Sequence, residues 1–357
     1  MRQNRNILIR DKSRMDAAGR KRKGTLAPPP SPSQEQPSAA LQFDWDRMLP
    51  VAKRRLDQFL SLEPQVLRGE DPDAIHDFRV ASRRLQQMLD LLFPRPHLPK
   101  IRKLRRSIRR ARRALSVVRN CDVLMQNAER VLRRKRTARR EPWEAFRSYL
   151  EDRRRKSFRK AARRLGRMNL SAFYVQMRGQ LEALPDLHSL SHSRPETDEP
   201  SAETSASLSG QLAEGLQEMW LALEGRAAAW RDERTAPALH AVRIAAKRFR
   251  YLIEVVHELG DSSAESALGP LRAIQDRLGN WNDLEVMEQM MLEMIASPEY
   301  LQEHLQLAIE IEQLVLRNRR IKKLGEGKIL GALEDSPEWR ALGGWVSHFL
   351  SAFSEAA

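Results

Sequence analysis

The hydrophobic positions along the chain recur with the period of a helix. Ile75, Phe78, Leu85, Leu89 and Leu92 follow one another at intervals of three, seven, four and three residues, which places them on one helix face. Similar stripes recur from residue 43 towards the C-terminal end, and no segment alternates apolar and polar residues as a strand does. The pattern therefore predicts an all-α fold.

The polar side of the same segment carries a histidine and three cations, and this set occurs twice. A helix turns by about 100° per residue, so His76, Arg79 and Arg83 fall within about 60° of one another. The segment aligns without a gap with one that lies 164 residues later. The aligned pairs are His76 with His240, Arg79 with Arg243, Arg83 with Lys247, and Arg84 with Arg248. One basic helix face is ordinary on a solvated surface, but its repetition in register favours a binding role.

A second pair of segments keeps almost the same offset. Residues 115–123 (LSVVRNCDV) align with residues 278–286 (LGNWNDLEV) at an offset of 163. Four polar residues of these blocks carry oxygen atoms of the kind that bind metals: Asn120, Asp122, Asp283 and Glu285. We interpret them instead as helix caps in a turn between two helices, or as partners of arginines. The two blocks predict an internal duplication, and hence two helical bundles related by pseudo-symmetry.

Composition divides the chain into four parts. Residues 1–42 begin with basic residues and continue with Pro and Ser, which is typical of a disordered tail. Residues 185–210 are polar, Ser-rich and acidic, and are predicted to be a flexible linker. Residues 43–184 and 211–357 are predicted to be the first and second helical repeats.

The positive charge of the chain is concentrated in one window. The 63 Lys and Arg residues exceed the 47 Asp and Glu residues, which gives a formal net charge of +16. Residues 101–170 alone hold 26 cations and 6 acids, so the rest of the chain is slightly acidic. Such a localised field predicts a polyanionic partner, and nucleic acid, an anionic membrane or a phosphate polymer all fit on charge alone.

Further cations recur at helical spacing in this window. In the predicted helix that begins near residue 100, four of them lie opposite the apolar stripe: Arg102, Arg106, Arg109 and Arg113. In the predicted helix at 141–167, three recur every four residues: Arg155, Arg159 and Arg163. The matching segment of the second half, 268–278, has only Arg272 and Arg277. Arginine forks bind phosphate oxygens in pairs, and a cation ladder about 10 Å long suits a linear polyanion.

Catalytic motifs are absent from the sequence. It has no Gly-rich phosphate loop, HExxH motif, paired CxxC motif or nucleophile elbow, so we expect no enzymatic activity, no metal and no cofactor. The single cysteine, Cys121, is predicted to be a small core residue and suits a reducing cytosol. No apolar run reaches the roughly 20 residues that span a bilayer, so no membrane partner is expected.

The motif H-x-x-R-x-x-x-[RK]-R occurs twice, at residues 76–84 and 240–248. This doubled motif and the paired blocks at 115–123 and 278–286 resemble the sequence pattern of the CHAD domain family. The resemblance covers about residues 43–350. It implies two four-helix bundles around a basic groove or pore that binds inorganic polyphosphate, with association with polyphosphate granules. It also implies that the duplicated motifs line opposite sides of the site. Arg102, Arg106, Arg109 and Arg113 would extend that site, with Arg272 as their sparse counterpart.

The sequence thus predicts a cytoplasmic, non-catalytic polyphosphate-binding protein at polyphosphate granules. The alternatives are a nucleic-acid-binding helical protein and an enzyme of phosphate metabolism, and weak non-specific binding of nucleic acid is also expected. Aromatic residues make up 6% of the chain and mostly lie on the apolar stripes, which disfavours stacking on single-stranded nucleic acid. The sequence leaves the oligomeric state open.

Overall fold

The computed structural model describes residue 43 and residues 45–93, 96–134, 139–184 and 208–354. These residues form helices and connecting turns without any strand, so the predicted all-α fold is confirmed. The predicted tail, residues 1–42, lies outside the described residues, as does the predicted linker except for its last three residues, which begin a helix. Within the described ranges, no helix is long and apolar enough to cross a bilayer.

Thirteen helices occupy the described ranges. They are α1 (Trp45–Ser61), α2 (Glu63–Arg68), α3 (Pro72–Leu92), α4 (Pro99–Ala114), α5 (Ser116–Leu132), α6 (Arg140–Gly166), α7 (Leu170–Glu182), α8 (Leu208–Glu233), α9 (Ala236–Glu258), α10 (Ala264–Ile295), α11 (Pro298–Glu303), α12 (Leu305–Glu334) and α13 (Pro337–Ser354).

The two helices that carry the His-Arg faces begin in the same way. The Asp71 side chain accepts a hydrogen bond from the Asp73 amide at 2.8 Å, and Pro72 is the first residue of α3. The Thr235 hydroxyl accepts one from the Ala238 amide at 3.3 Å at the start of α9. A capping oxygen satisfies an otherwise unpaired helix amide, and proline suits a first turn. Local sequence therefore fixes where both basic faces begin.

The helices of each half pack together, and α3 and α9 join the halves. In the first half α1 packs on α3 and α7, and α3 packs on α4; in the second half α9 packs on α8 and α10, and α13 packs on α8 and α10. The core between them buries large side chains such as Phe59, Phe78, Trp230 and Phe249. Because α3 packs directly against α9, the two basic helices lie side by side. The internal duplication itself stays a prediction.

A smaller core lies between α5, α6, α10 and α12. It buries Cys121, Phe146, Met291 and Ile311, among others. The prediction that Cys121 is a core residue is thus confirmed. This second core holds the long helix α6 and the helix α12 on the main body of the protein.

The repeated blocks differ in their local structure. The first begins at a break, Leu115, between α4 and α5, whereas the second lies inside α10, which runs unbroken. The four polar residues of these blocks lie inside helices, so their interpretation as caps in a turn is wrong: Asn120, Asp122, Asp283 and Glu285. The alternative, pairing with arginines, holds for Asp122, whose Oδ1 accepts a hydrogen bond from Arg154 Nε at 2.5 Å.

An ion-pair network fastens α3 to α9. Arg84 Nε donates to Glu254 Oε2 at 2.8 Å, and Arg250 Nε donates to Glu254 Oε1 at 2.8 Å. Arg250 also donates to Gln275 on α10 at 3.2 Å. The Glu254 side chain is only 10% exposed, so loss of Arg84 would leave a largely buried carboxylate with one fewer partner. The network fixes how closely the two basic helices lie.

The turn after α2 offers a test of how α6 packs against the rest of the first half. Gly69 has a φ of 73°, and a Cβ atom there would overlap the Phe158 ring on α6. A Gly69→Ala variant should therefore lose about 2 kcal/mol of unfolding free energy, measured by urea denaturation. The control is Gly179→Ala inside α7, where a Cβ atom meets nothing within 4 Å. It should gain about 0.5–1 kcal/mol. Equal changes in the two variants would contradict the packing of α6 against this turn.

Candidate functional site

A groove between α3, α4 and α9, here called the basic groove, collects cations from both halves of the chain. Its volume is about 380 Å³. The α4 side contributes four arginines: Arg105, Arg109, Arg112 and Arg113. The α9 side contributes His240, Arg243, Lys247 and Arg248. From α3 come Arg83 and Asp90. The groove therefore brings together one carboxylate and a much larger number of cations.

The innermost cations repel one another. Burial lowers the pKa of Lys247 to about 6, and Arg243, Arg83 and Arg79 add to this shift. Burial likewise lowers the pKa of Arg79 to about 9, with further contributions from Arg83 and other arginines. Burial and the charge of Arg83 also lower the pKa of Arg243. Each of these shifts means that the free site disfavours its own positive charge.

Arg79 and Arg112 are held in place by neutral oxygen atoms. Arg79 Nη1 donates to the Arg112 carbonyl at 2.7 Å and to Ser116 Oγ at 2.9 Å, across the break between α4 and α5. Arg112 Nη1 donates to Gln86 Oε1 at 2.8 Å. Burial, followed by repulsion from Arg83 and Arg109, lowers the pKa of Arg112 to about 10. These contacts orient the guanidinium groups without neutralising them.

Few carboxylates oppose this charge. Asp90 pairs with Arg105 and lies 3.9 Å from Arg248 Nη2. Asp283 on α10 lies within electrostatic reach of Arg243 and Lys247, and burial raises its own pKa. Arg243 Nε is buried and makes no hydrogen bond within the described part of the chain. An unpaired buried donor costs free energy, so an anionic ligand oxygen at this point would be favourable.

The two motif histidines have different surroundings. His240 lines the basic groove, and its Nδ1 lies 3.1 Å from Asn282 Oδ1 on α10. His76 does not line the groove, but its pKa is lowered by burial and by nearby cations, among them Arg119, Lys247 and Arg83. A bound anion would reverse that electrostatic effect and favour the imidazolium form.

A second, wider depression adjoins the basic groove. It has a volume of about 560 Å³ and is lined by His97, Arg102, Arg105, Arg106 and Arg109. Arg105 and Arg109 line both spaces, so the cationic surface continues from one into the other along α4. A linear ligand can therefore follow α4 without leaving the neighbourhood of an arginine.

The structure brings together most, but not all, of the residues that the sequence predicts for the site. Seven line the basic groove: Arg83, Arg109, Arg113, His240, Arg243, Lys247 and Arg248. Arg102 and Arg106 line the adjoining depression, and Arg79 and His76 lie beside the groove within electrostatic reach of Arg83.

The remaining five predicted residues lie elsewhere. Arg84 forms an ion pair with Glu254 and does not line the groove. Arg155, Arg159 and Arg163 are exposed on α6, and Arg155 pairs with Asp152 at 2.9 Å. Arg159 and Arg163 lie on the side of α6 opposite the buried Phe146 and Leu150, and so face away from the body of the protein. Arg272 is exposed on α10 and lines neither space.

Sequence reasoning missed Arg105 and Arg112, which both line the basic groove. The signal for them was present. At about 100° per residue, both flank the apolar stripe of α4, whereas Arg102 and Arg106 lie nearer its opposite side. Positions that flank a buried stripe face the groove between two packed helices. Tyr251 also lines the groove and Arg119 lies within electrostatic reach of His76, and neither has such a signal in one helix alone. Asp283, which the sequence offered as a partner of arginines, lies within electrostatic reach of Arg243.

Comparisons with known proteins agree with this architecture. Residues 51–292 match the family model of the CHAD domain. The crystal structure of the CHAD domain from the plant Ricinus communis is similar, with 21% identity and a TM-score of 0.56 over 89% of this chain and 96% of that chain. PptA from Streptomyces chartreusis is also similar, with 16% identity and a TM-score of 0.51 over 82% of this chain and 99% of that one. No curated protein matches the chain. Because the family match spans more than half of its residues, the chain belongs to the CHAD domain family.

Proposed function

We propose that the protein binds inorganic polyphosphate in the basic groove and does not catalyse a reaction on it. The observation that carries the proposal is a set of partly buried cations in and beside the groove, Arg79, Arg83, Arg243 and Lys247, whose mutual repulsion Asp283 offsets only in part. Such a site gains most from a ligand with high negative charge. Membership of the CHAD domain family supports a polyphosphate-associated role.

The shape of the cationic surface favours a polymer over a single phosphate. The basic groove and the adjoining depression share Arg105 and Arg109, which gives a continuous series of cations along α4. One orthophosphate can occupy only one position in that series, whereas a chain can occupy several. A chain also releases condensed counterions when its charges are neutralised.

In this proposal the protein binds polyphosphate without catalysing a reaction, and it does so in the cytoplasm at polyphosphate granules. The single thiol, Cys121, is buried, and burial raises its pKa to about 11, which makes it a poor nucleophile near neutral pH. A fluorescent fusion should mark the granules. Loss of that localisation in a variant that no longer binds the polymer in vitro would link the two properties.

The contribution of the basic groove to affinity can be separated from the contribution of net charge. The double variant Arg83→Gln, Lys247→Gln should bind long polyphosphate at least about tenfold more weakly in calorimetry, because it removes two charge-assisted contacts. The matched control, Arg159→Gln with Arg163→Gln, removes the same number of cations from the outer side of α6. It should weaken binding by less than about threefold. Equal losses would show that overall charge, and not the groove, sets the affinity.

The second prediction concerns the pH dependence of binding. In the free protein Lys247, with its pKa of about 6, loses its proton as the pH rises from 6 to 8, because burial and nearby Arg243, Arg83 and Arg79 disfavour the charged form and Asp283 only partly opposes them. A bound polyanion restores the ammonium form and raises this pKa. Binding should therefore take up a proton, and affinity should fall by up to about tenfold per pH unit above pH 6.

Calorimetry in buffers of different ionisation enthalpy measures that proton uptake. The Lys247→Met variant should lose the linkage between pH 7 and 8 while the linkage near pH 6 remains, because His76 also has a lowered pKa that an anion would raise. The His76→Gln variant is the complementary control. If Lys247→Met binds with unchanged proton uptake at pH 8, Lys247 does not contact the ligand.

The third prediction distinguishes the polymer from other anions. At one fixed salt concentration, long polyphosphate should displace labelled RNA and DNA, and orthophosphate should bind at least about a hundredfold more weakly than the polymer. Tyr251 is the aromatic side chain among the described residues that line the groove, so base stacking has little support there. Displacement of polyphosphate by nucleic acid of equal charge concentration would favour a nucleic-acid-binding function instead.

A further inference from the structure

The helix α12 packs on the protein by one side only. Ala308, Ile311, Leu314 and Val315 are buried against α10 and α6. On the opposite side exposed positions recur from Leu305 to Gly327, and all of α12 lies beyond residues 51–292, the segment that matches the family. This surface is therefore not needed for the groove or for the core that supports it.

Seven exposed positions form a seam on that outer side. They recur every three or four residues: Leu305, Ile309, Glu312, Leu316, Arg320, Lys323 and Gly327. At about 100° per residue they fall within about 80° of one another, roughly 140° around the helix from the buried side. Leu305, Ile309 and Leu316 are 62%, 45% and 38% exposed. Three large apolar side chains in register on one exposed helix face indicate a contact surface.

The order of residues along the seam is symmetric about Leu316. Their spacing, four, three and four residues on each side of Leu316, is the same in both directions. A two-fold axis at Leu316 between two antiparallel copies of α12 would place Glu312 opposite the partner's Arg320. It would also place Ile309 beside the aliphatic stem of the partner's Lys323. A parallel arrangement would instead place like charges opposite one another.

The same axis gives a reason for Gly327. Glycine inside a helix costs roughly 1 kcal/mol relative to alanine. A Cβ atom at Gly327 would meet nothing within 4 Å, so the packing of a single chain does not require glycine there. In the antiparallel pair Gly327 lies opposite the partner's Leu305, which is the most exposed apolar residue of the seam. The absence of a side chain at Gly327 leaves room for that leucine.

We infer that a second copy of this chain binds antiparallel along α12, with Leu316 at the two-fold axis. The seam spans 305–327, a length of about 33 Å at 1.5 Å per residue. The seam has apolar contact at its centre and one Glu312–Arg320 pair on each side of the axis. These contacts specify both the partner and the antiparallel direction of its helix. The inference does not depend on which anion the basic groove binds.

Analytical ultracentrifugation of protein freed of bound polyanions tests the dimer. From about 1 to 100 µM, the weight-average mass should rise from 41.2 kDa towards twice that value. Leu316→Glu should keep the mass at that of one chain. The matched control is Leu221→Glu on α8, another exposed leucine at 57%, which should dimerise as the wild type does.

A charge exchange tests the register. Glu312→Arg alone and Arg320→Glu alone should each dimerise at least about tenfold more weakly, because each places like charges opposite one another. A one-to-one mixture of the two variants should recover the wild-type affinity, because both pairs then have opposite charges. Circular dichroism checks that each variant folds. A chain that stays monomeric throughout would overturn the inference, and so would a mixture that does not recover.

Discussion

The site depends on one constraint. Three helices hold like charges together in a partly buried groove, where these charges repel one another. Lys247 has a pKa of about 6 because it is largely buried from water, and repulsion from Arg243, Arg83 and Arg79 adds to this shift. The packing of α3 against α9 must supply the free energy that holds these groups together. It does so through a continuous apolar core and through Glu254, which accepts hydrogen bonds from Arg84 on α3 and from Arg250 on α9. Glu254 thus connects the two basic helices through side chains that do not themselves line the groove.

The sequence predicted the fold class and the basic helix faces because both follow from a single period. The apolar stripe of α3 and its repeat in α9 needed only helical geometry. A turn was expected in both aligned blocks, but only the first has one, at Leu115, and the block at 278–286 is helical throughout. Arg84 was assigned to the site because it aligns with Arg248, but its direction places it against Glu254. Which flank of a helix faces a groove depends on its neighbours, and a repeat alone does not give them.

The two halves contribute unequally to the site. The first half supplies the arginines of α4, whereas the aligned positions of α10 hold only Arg272 and Arg277. Elsewhere α10 adds a carboxylate near the site, Asp283. Where the first half has Arg119 and Asn120, the second has Asn282 and Asp283. A ligand in the groove therefore lies between a strongly cationic wall and a weaker one.

The unneutralised charge of the groove has a consequence for how long the protein persists in a cell. A ligand that binds only the folded chain stabilises it in proportion to its concentration, by about 2.7 kcal/mol when the free ligand is at 100 times its Kd. The gain is large relative to the stability of an ordinary domain, and it removes repulsion that the free fold must carry. Cellular proteases act on the transiently unfolded fraction. The abundance of the protein would then follow the supply of its anion through turnover, without any change in its synthesis.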